Sequence, residues 1–125
     1  MITGFNKQTA ELNDKELELV PIFIAGLSKR IGKDNAITNV EMRKIMLDKF
    51  RVKVPSTRVR KIINHIRITS KVPCLCATSN GYYVAKDKRE MDEYITSLSE
   101  RVDAQAHLLE QLEIQNGRMY PNTNK

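Results

Sequence analysis

The stretch Val54–Lys71, VPSTRVRKIINHIRITSK, constrains what this chain can fold into more than any other. Its apolar residues have the spacing of one buried helical stripe: Val59, Ile62, Ile63 and Ile66. Every charged residue around that stripe is basic, and the run contains no acid. The serine after Pro55 is typical of a helix start, because its side chain can accept from the free N–H groups of the first turn. The stretch therefore predicts a short helix with one apolar face and one basic face.

Basic charge is concentrated in the middle of the 125-residue chain, whose net charge is +6. Residues 29–71 carry 13 Lys/Arg against 3 Asp/Glu, whereas residues 87–114 carry 3 against 8. Such clustering is the electrostatic pattern expected of a polyanion-binding protein. The acidic segment is expected to face solvent or a protein rather than DNA. The length and the 41% apolar share predict one globular domain with an appendage.

Two capping-box patterns predict the helices that precede the basic stretch. Asn13 and Glu16 begin the first, whose predicted buried stripe is Leu17, Val20, Ile24, Leu27 and Ile31. Pro21 is expected to kink or restart this helix, and Gly32 to end it. The second helix begins at Thr38, or at Asn39 as an alternative cap, with its apolar residues at Val40, Met42, Ile45, Met46 and Phe50. Only Arg51–Pro55 separates it from the basic helix, which matches the helix-turn-helix plan.

An Asn80-Gly81 pair between two short apolar runs predicts a β-hairpin, because both residues tolerate positive φ. A two-residue turn at this pair would place Ala77 opposite Val84. One face then carries Leu75, Ala77, Tyr82 and Val84, and we expect it to face the core. The other carries Cys74, Cys76, Thr78, Tyr83 and Ala85, and it is apolar enough to need a cover. The two tyrosines are expected to pack in the fold, although base stacking is an alternative.

A long polar-rich helix is predicted from Asp87 to about Ile114, ended by Asn116 and Gly117. Its apolar residues alternate spacings of four and three, which is the pattern of a coiled-coil seam. The seam that we expect to pair in a dimer consists of Leu98, Val102, Gln105, Leu109 and Leu112. Packing of this helix on its own domain is the alternative.

The order of these elements resembles a winged helix-turn-helix. More narrowly, the segments LVPIFIAGLSKRIGKDNAIT, RKIINHIR and ATSNGYYVA look like small winged-helix proteins encoded in phage and prophage genomes. The resemblance covers about residues 13–100, with Asn35–Thr38 as the short edge strand. It implies a DNA-binding module in phage replication or regulation. The wing turn Ser79-Asn80-Gly81 is neutral, which departs from the basic wings that such proteins often carry.

The predicted fold class is mainly α with a small β-hairpin, a winged helix-turn-helix followed by a long C-terminal helix. Its predicted parts are a loosely ordered segment 1–12, the winged domain 13–86, the helix 87–115 and a flexible tail 116–125. A basic recognition helix, 56–68, is expected to enter the major groove of duplex DNA. Predicted base contacts are Thr57, Arg58, Lys61, Asn64 and His65. Predicted phosphate contacts are Arg51, Lys53, Ser56, Arg60, Arg67 and Lys71.

Other functions have weaker support in the sequence. Cys74 and Cys76 lack a second ligand pair, so they are interpreted as structural rather than as a metal site. His65 has no nearby acid or nucleophile, and no phosphate loop or carboxylate pair is visible, so no catalysis, metal or cofactor is expected. No segment has the pattern of a leader or a membrane span, and a bacterial cytoplasmic location without a membrane partner is expected. A protein–protein adaptor that binds through the acidic C-terminal helix is the alternative function.

Overall fold

The computed structural model describes residues 11–121 and confirms a mainly α fold with a small antiparallel hairpin and a long C-terminal helix. The elements are α1 (Asp14–Leu27), α2 (Asn39–Phe50), α3 (Ser56–Ile68), β1 (Leu75–Thr78), β2 (Gly81–Val84) and α4 (Lys88–Met119). A 3-10 turn, Lys33–Asn35, lies between α1 and α2. The chain divides into two compact units between Met91 and Asp92. The predictions made for residues 1–10 and 122–125 lie outside the described residues.

Both predicted capping boxes are present. In α1, Asn13 Oδ1 accepts from Glu16 N and Glu16 Oε1 accepts from Asn13 N, each at 2.9 Å. Thr38 and Glu41 make the same reciprocal pair at the start of α2. Each pair satisfies backbone N–H groups that a helix start leaves without a partner, which fixes where these helices begin.

The buried face of α1 differs from the predicted stripe. Val20, Phe23 and Leu27 are buried, whereas Leu17 and Ile31 are about half exposed. Nearly every position from 17 to 27 is apolar, so the sequence fits several stripes equally well. The helix also runs through Pro21 without restarting and ends at Leu27 rather than near Gly32.

Helix α3 forms the centre of the first unit. Its stripe is confirmed: Val59, Ile62, Ile63 and Ile66 are 0–1% exposed, and both α1 and α2 pack against this helix. Full burial of such a side chain contributes about 1.5–3 kcal/mol, so the stripe fixes the orientation of α3 firmly. The predicted cap is wrong, because Pro55 occupies the N-cap position and Ser56 is the first helical residue.

The hairpin has the predicted faces but a different register. Thr78 pairs with Gly81 and Ala77 with Tyr82, so the turn is Ser79-Asn80 rather than Asn80-Gly81. Gly81 has φ 122°, and a Cβ there would lie 2.5 Å from the Ile37 carbonyl oxygen. This glycine therefore allows close approach of a neighbouring segment rather than forming the turn.

That neighbouring segment is shorter than the predicted edge strand Asn35–Thr38. Ile37 exchanges two backbone hydrogen bonds with Tyr82, at 2.8 and 2.9 Å. Asn35 instead lies in the 3-10 turn. A second contact, a parallel bridge between Ile31 and Val84, ties the segment that follows α1 to β2.

The second hairpin face is covered, as expected. Cys76 is fully buried, Tyr83 is 4% exposed, and the Cys76 Sγ lies 3.9 Å from the Met91 Sδ. Cys74 does not share this face, because it precedes β1 with φ 59° and is exposed. The predicted alternation from Cys74 to Cys76 is therefore wrong.

Helix α4 is longer than predicted. Asp87 Oδ1 accepts from Glu90 N at 2.9 Å just before the helix begins at Lys88. The helix continues through Asn116 and Gly117 to Met119, so neither residue ends it.

Candidate nucleic-acid interface

Six of the predicted basic contact residues fall into two groups in the structure. The first group is solvent-exposed and we call its cations the exposed basic set: Arg51, Lys53, Arg60 and Lys71. Thr57 is exposed as well, whereas Ser56, Asn64 and His65 are half-buried. Arg51 caps the end of α2 with φ 57°, and Lys53 follows in the turn before α3. The exposed basic set thus lies on α3 and on the segments at its two ends.

The second group is engaged within the chain by Glu16 of α1. Lys61 Nζ donates to Glu16 Oε1 at 2.8 Å, and Arg58 Nε donates to Glu16 Oε2 at 3.2 Å. The Glu16 side chain is 4% exposed, against 18% for Lys61 and 39% for Arg58. Lys61 was predicted to contact a base, whereas the structure places its ammonium group on Glu16 at the start of α1.

Burial raises the pKa of the Glu16 carboxyl, but stronger opposing contributions leave it below the ordinary value of 4.5. These are the hydrogen bonds from Lys61 and from the Asn13 backbone, with the positive charges of Lys61 and Arg58. The carboxylate is therefore ionised at neutral pH. It fixes two cations of α3 against α1.

Sequence reasoning identified Glu16 only as a capping residue. Its partners lie 42 and 45 positions away in the chain. No local pattern indicates that pairing, because it depends on how α1 packs across α3. The sequence did offer one signal: because the basic stretch contains no acid, a carboxylate that pairs with its cations has to come from another part of the chain.

Two further arginines make hydrogen bonds to backbone carbonyls that connect α3, or the turn before it, to neighbouring elements. Arg67 Nε donates to the Leu75 carbonyl at 2.9 Å, which links the end of α3 to the hairpin. Arg43 Nε donates to the Val54 carbonyl at 3.1 Å, which fixes the turn before α3. Arg67 was predicted to hold a phosphate, and the structure places its Nε on the hairpin instead. Arg43 was not singled out in the sequence.

The first turn of α3 has no side-chain cap hydrogen bond among the described residues. Asn39 Nδ2 of α2 donates to the Ser56 carbonyl at 3.3 Å, which joins the starts of the two helices. Backbone N–H groups at a helix start attract anions, and the positive end of the helix dipole adds to the effect. This turn therefore suits a phosphate.

The hairpin turn offers little charge. Ser79 and Asn80 at its turn are exposed and neutral, and Asn80 N donates to Thr78 Oγ1 at 3.1 Å. Lys86, Lys88 and Arg89 follow β2 rather than lying at the turn. The predicted contacts with exposed charge therefore lie on α3 and its flanking segments rather than at the hairpin turn.

The predicted seam of α4 is solvent-exposed in the chain. The exposed fractions are 39% for Leu98, 58% for Val102, 58% for Leu109 and 50% for Leu112. Gln105 of the same seam is exposed as well. From Asp92 to Met119 the helix carries six acids and two basic residues, Arg101 and Arg118. It is an acidic helix with an uncovered apolar stripe.

Other kinds of site find little support in the part of the chain that the structure describes. Within residues 11–121, no three His, Cys, Asp or Glu side chains are grouped to hold a metal ion. None of the helices described has the length and apolar character needed to cross a membrane. Comparison with protein-family models, curated proteins and solved structures finds no match.

Proposed function

We propose that this chain is a non-enzymatic protein that binds duplex DNA by placing α3 in the major groove. The observation that carries the proposal is the exposed basic set on α3 and its flanking segments, within a stretch that has no acid. The acid that contacts α3, Glu16, is 3% exposed and neutralised by two cations. Helix α3 is about 20 Å long, and the major groove of DNA is wide enough to admit an α-helix.

The contacts that the predicted residues make within the chain assign them different roles in the proposal. Arg51, Lys53, Arg60 and Lys71 bind phosphates, together with the uncapped first turn of α3. Thr57, Asn64 and His65 remain candidates for base contacts. Lys61 is mainly structural in this scheme, since Glu16 engages its ammonium group and little of its side chain is exposed.

Arg58 has a different role in the proposal. Its Nε is bonded to Glu16, which leaves the two terminal NH₂ groups of a partly exposed guanidinium. A guanidinium presents its N–H donors in a rigid fork, and a pair of donors matches the O6 and N7 acceptors of guanine. Glu16 would thereby orient a base-contacting arginine.

The resemblance to phage and prophage winged-helix proteins supports a role in replication or transcription regulation in the bacterial cytoplasm. The exposed seam of α4 supports a homodimer, which would place two α3 helices on two half-sites. Gln105 would pair with its copy and fix the register.

Duplex affinity in a salt titration tests DNA binding. Four phosphate contacts predict a slope of log affinity against log salt of about −3.6 per domain, at −0.9 for each contact. Lys53→Glu with Arg60→Glu should reduce affinity by more than tenfold and make the slope shallower by about 1.8. The matched control is Arg101→Glu with Arg118→Glu, which makes the same charge change on α4. Equal losses in both variants would contradict the assignment to α3.

Sedimentation of the full chain tests the dimer. Leu109→Glu with Leu112→Glu should convert a dimer to a monomer, because the change places charges in the paired seam. An acidic, uncovered helix also favours the adaptor function, in which α4 binds a different protein. A wild-type chain that is monomeric at high concentration would favour the adaptor over the dimer.

A further inference from the structure

A groove between α1 and α2 is not used by the proposed DNA interface. Its volume is about 640 Å³, and its walls run from Pro21 to Arg30 on one side and from Met42 to Phe50 on the other. Phe23, Ile37, Met42 and Met46 form its buried base. Ile22 and Ile45 are half-buried, and Phe50 is 45% exposed. The groove is therefore predominantly apolar.

The charges that line the groove have one sign. Lys29, Arg30 and Lys49 contribute to the lining, and no acidic residue between positions 11 and 121 does. An occupant with apolar anchors and acidic flanks would match both properties of the groove. The α2 wall spans nine residues, about 13 Å, which accommodates anchors at positions i, i+3 or i+4, and i+7 of a helix.

Gly26 supplies an independent observation. It lies inside α1 and lines the groove, and a Cβ placed there would meet no atom within 4 Å. Glycine within a helix costs about 0.5–1 kcal/mol relative to alanine. Packing within the described residues does not explain why a glycine occupies this helical position despite its cost in stability. Close approach of another backbone would explain it.

We infer that this groove binds an acidic amphipathic helix of another protein, with its apolar face between α1 and α2 and its acids against Lys29, Arg30 and Lys49. This inference does not depend on DNA binding, because the groove residues are distinct from the exposed basic set. Helix-in-groove recognition of this kind uses a few apolar anchors, with flanking charges that select the partner.

Two labelled 18-residue peptides test the inference by fluorescence anisotropy with the full-length chain. Both carry leucine at the same helical positions, but one has glutamate on its flanks and the other lysine. The acidic peptide should bind at least tenfold more tightly. Lys29→Glu with Lys49→Glu should reverse that preference. Equal affinities for the two peptides would overturn the inference.

Gly26→Leu should fill the groove and weaken the acidic peptide at least tenfold. Gly117→Leu is the matched control, because it is also a helical glycine with no atom within 4 Å of its Cβ. Circular dichroism and an unchanged midpoint of urea unfolding would show that the Gly26 variant is folded. Equal peptide affinity in wild type and that variant would exclude the groove. Tighter binding of a peptide of residues 92–119, lost in the same variant, would make the occupant a second copy and overturn the choice of partner.

Discussion

Helices α3 and α4 are both amphipathic, but only α3 has its apolar stripe fully covered within the chain. Its four stripe residues are at most 1% exposed, whereas the four apolar seam residues of α4 are 39–58% exposed. The charged faces differ in sign as well. The comparison shows that apolar residues at helical spacing predict a face that becomes buried, but they do not indicate which surface buries it.

Truncating one residue in each stripe gives the largest expected contrast. Ile62→Ala should reduce the free energy of unfolding by about 2–5 kcal/mol, because it leaves a cavity in the core. Leu109→Ala should change it by less than about 0.5 kcal/mol at concentrations where the chain is monomeric. Urea unfolding at micromolar concentration measures both. A loss in the Leu109 variant as large as that in the Ile62 variant would mean that α4 is covered within the chain.

Removing the charge that engages α3 should have an intermediate effect. Glu16→Gln should cost about 1–3 kcal/mol at neutral pH, because two cations lose a charged hydrogen-bond partner. The Glu16 pKa is lowered in the folded state, so its stabilisation is present above the ordinary value of 4.5 and is lost as pH falls through the folded pKa. The difference between wild type and variant should therefore be constant from pH 6 to 8 and shrink below about pH 4.5.

If the proposed DNA binding holds, the same variant should change it in a direction that destabilisation cannot explain. Releasing Arg58 and Lys61 from Glu16 should raise affinity for non-specific duplex and steepen its salt dependence. Discrimination between the preferred site and a mutated site should fall, because Arg58 loses its orientation. Equal proportional changes on both DNAs would contradict an orienting role for Glu16.

A small gain in stability is expected at Gly117 in α4. Gly117→Ala should stabilise the helix by about 0.5–1 kcal/mol, since the added Cβ meets no atom within 4 Å. Thermal loss of helical circular dichroism measures the change. A dimer should transmit this gain to its dissociation constant, whereas a monomeric chain shows only the increase in helicity.

Local signals predicted much of the fold. The two capping boxes were correct because each involves residues three positions apart, and the α3 stripe was correct because polar residues surround it. The α1 stripe was correct for Val20 and Leu27 but wrong for Leu17 and Ile31, because the segment is apolar on almost every side. The hairpin register was wrong because Gly81 serves the approach of Ile37, a contact made 44 positions away in the chain.

The candidate interface was predictable to a similar degree. The choice of α3 follows from composition and period, and Arg51, Lys53, Arg60 and Lys71 are exposed as a phosphate contact requires. The engagement of Lys61 and Arg58 by Glu16 was not predictable, because it depends on tertiary packing. A helical wheel gives directions relative to one helix axis and carries no information about which neighbour covers a flank.

The two cysteines differ in exposure, so their reactivity can reveal when the hairpin separates from the residues that cover it. Cys74 is exposed, whereas Cys76 is buried beside Met91, and burial raises the pKa of its thiol. A thiol reagent at neutral pH should therefore modify Cys74 rapidly and Cys76 only when the hairpin separates from its cover. In a Cys74→Ser variant, the labelling rate of the remaining native thiol would measure how often that separation occurs, without an introduced cysteine.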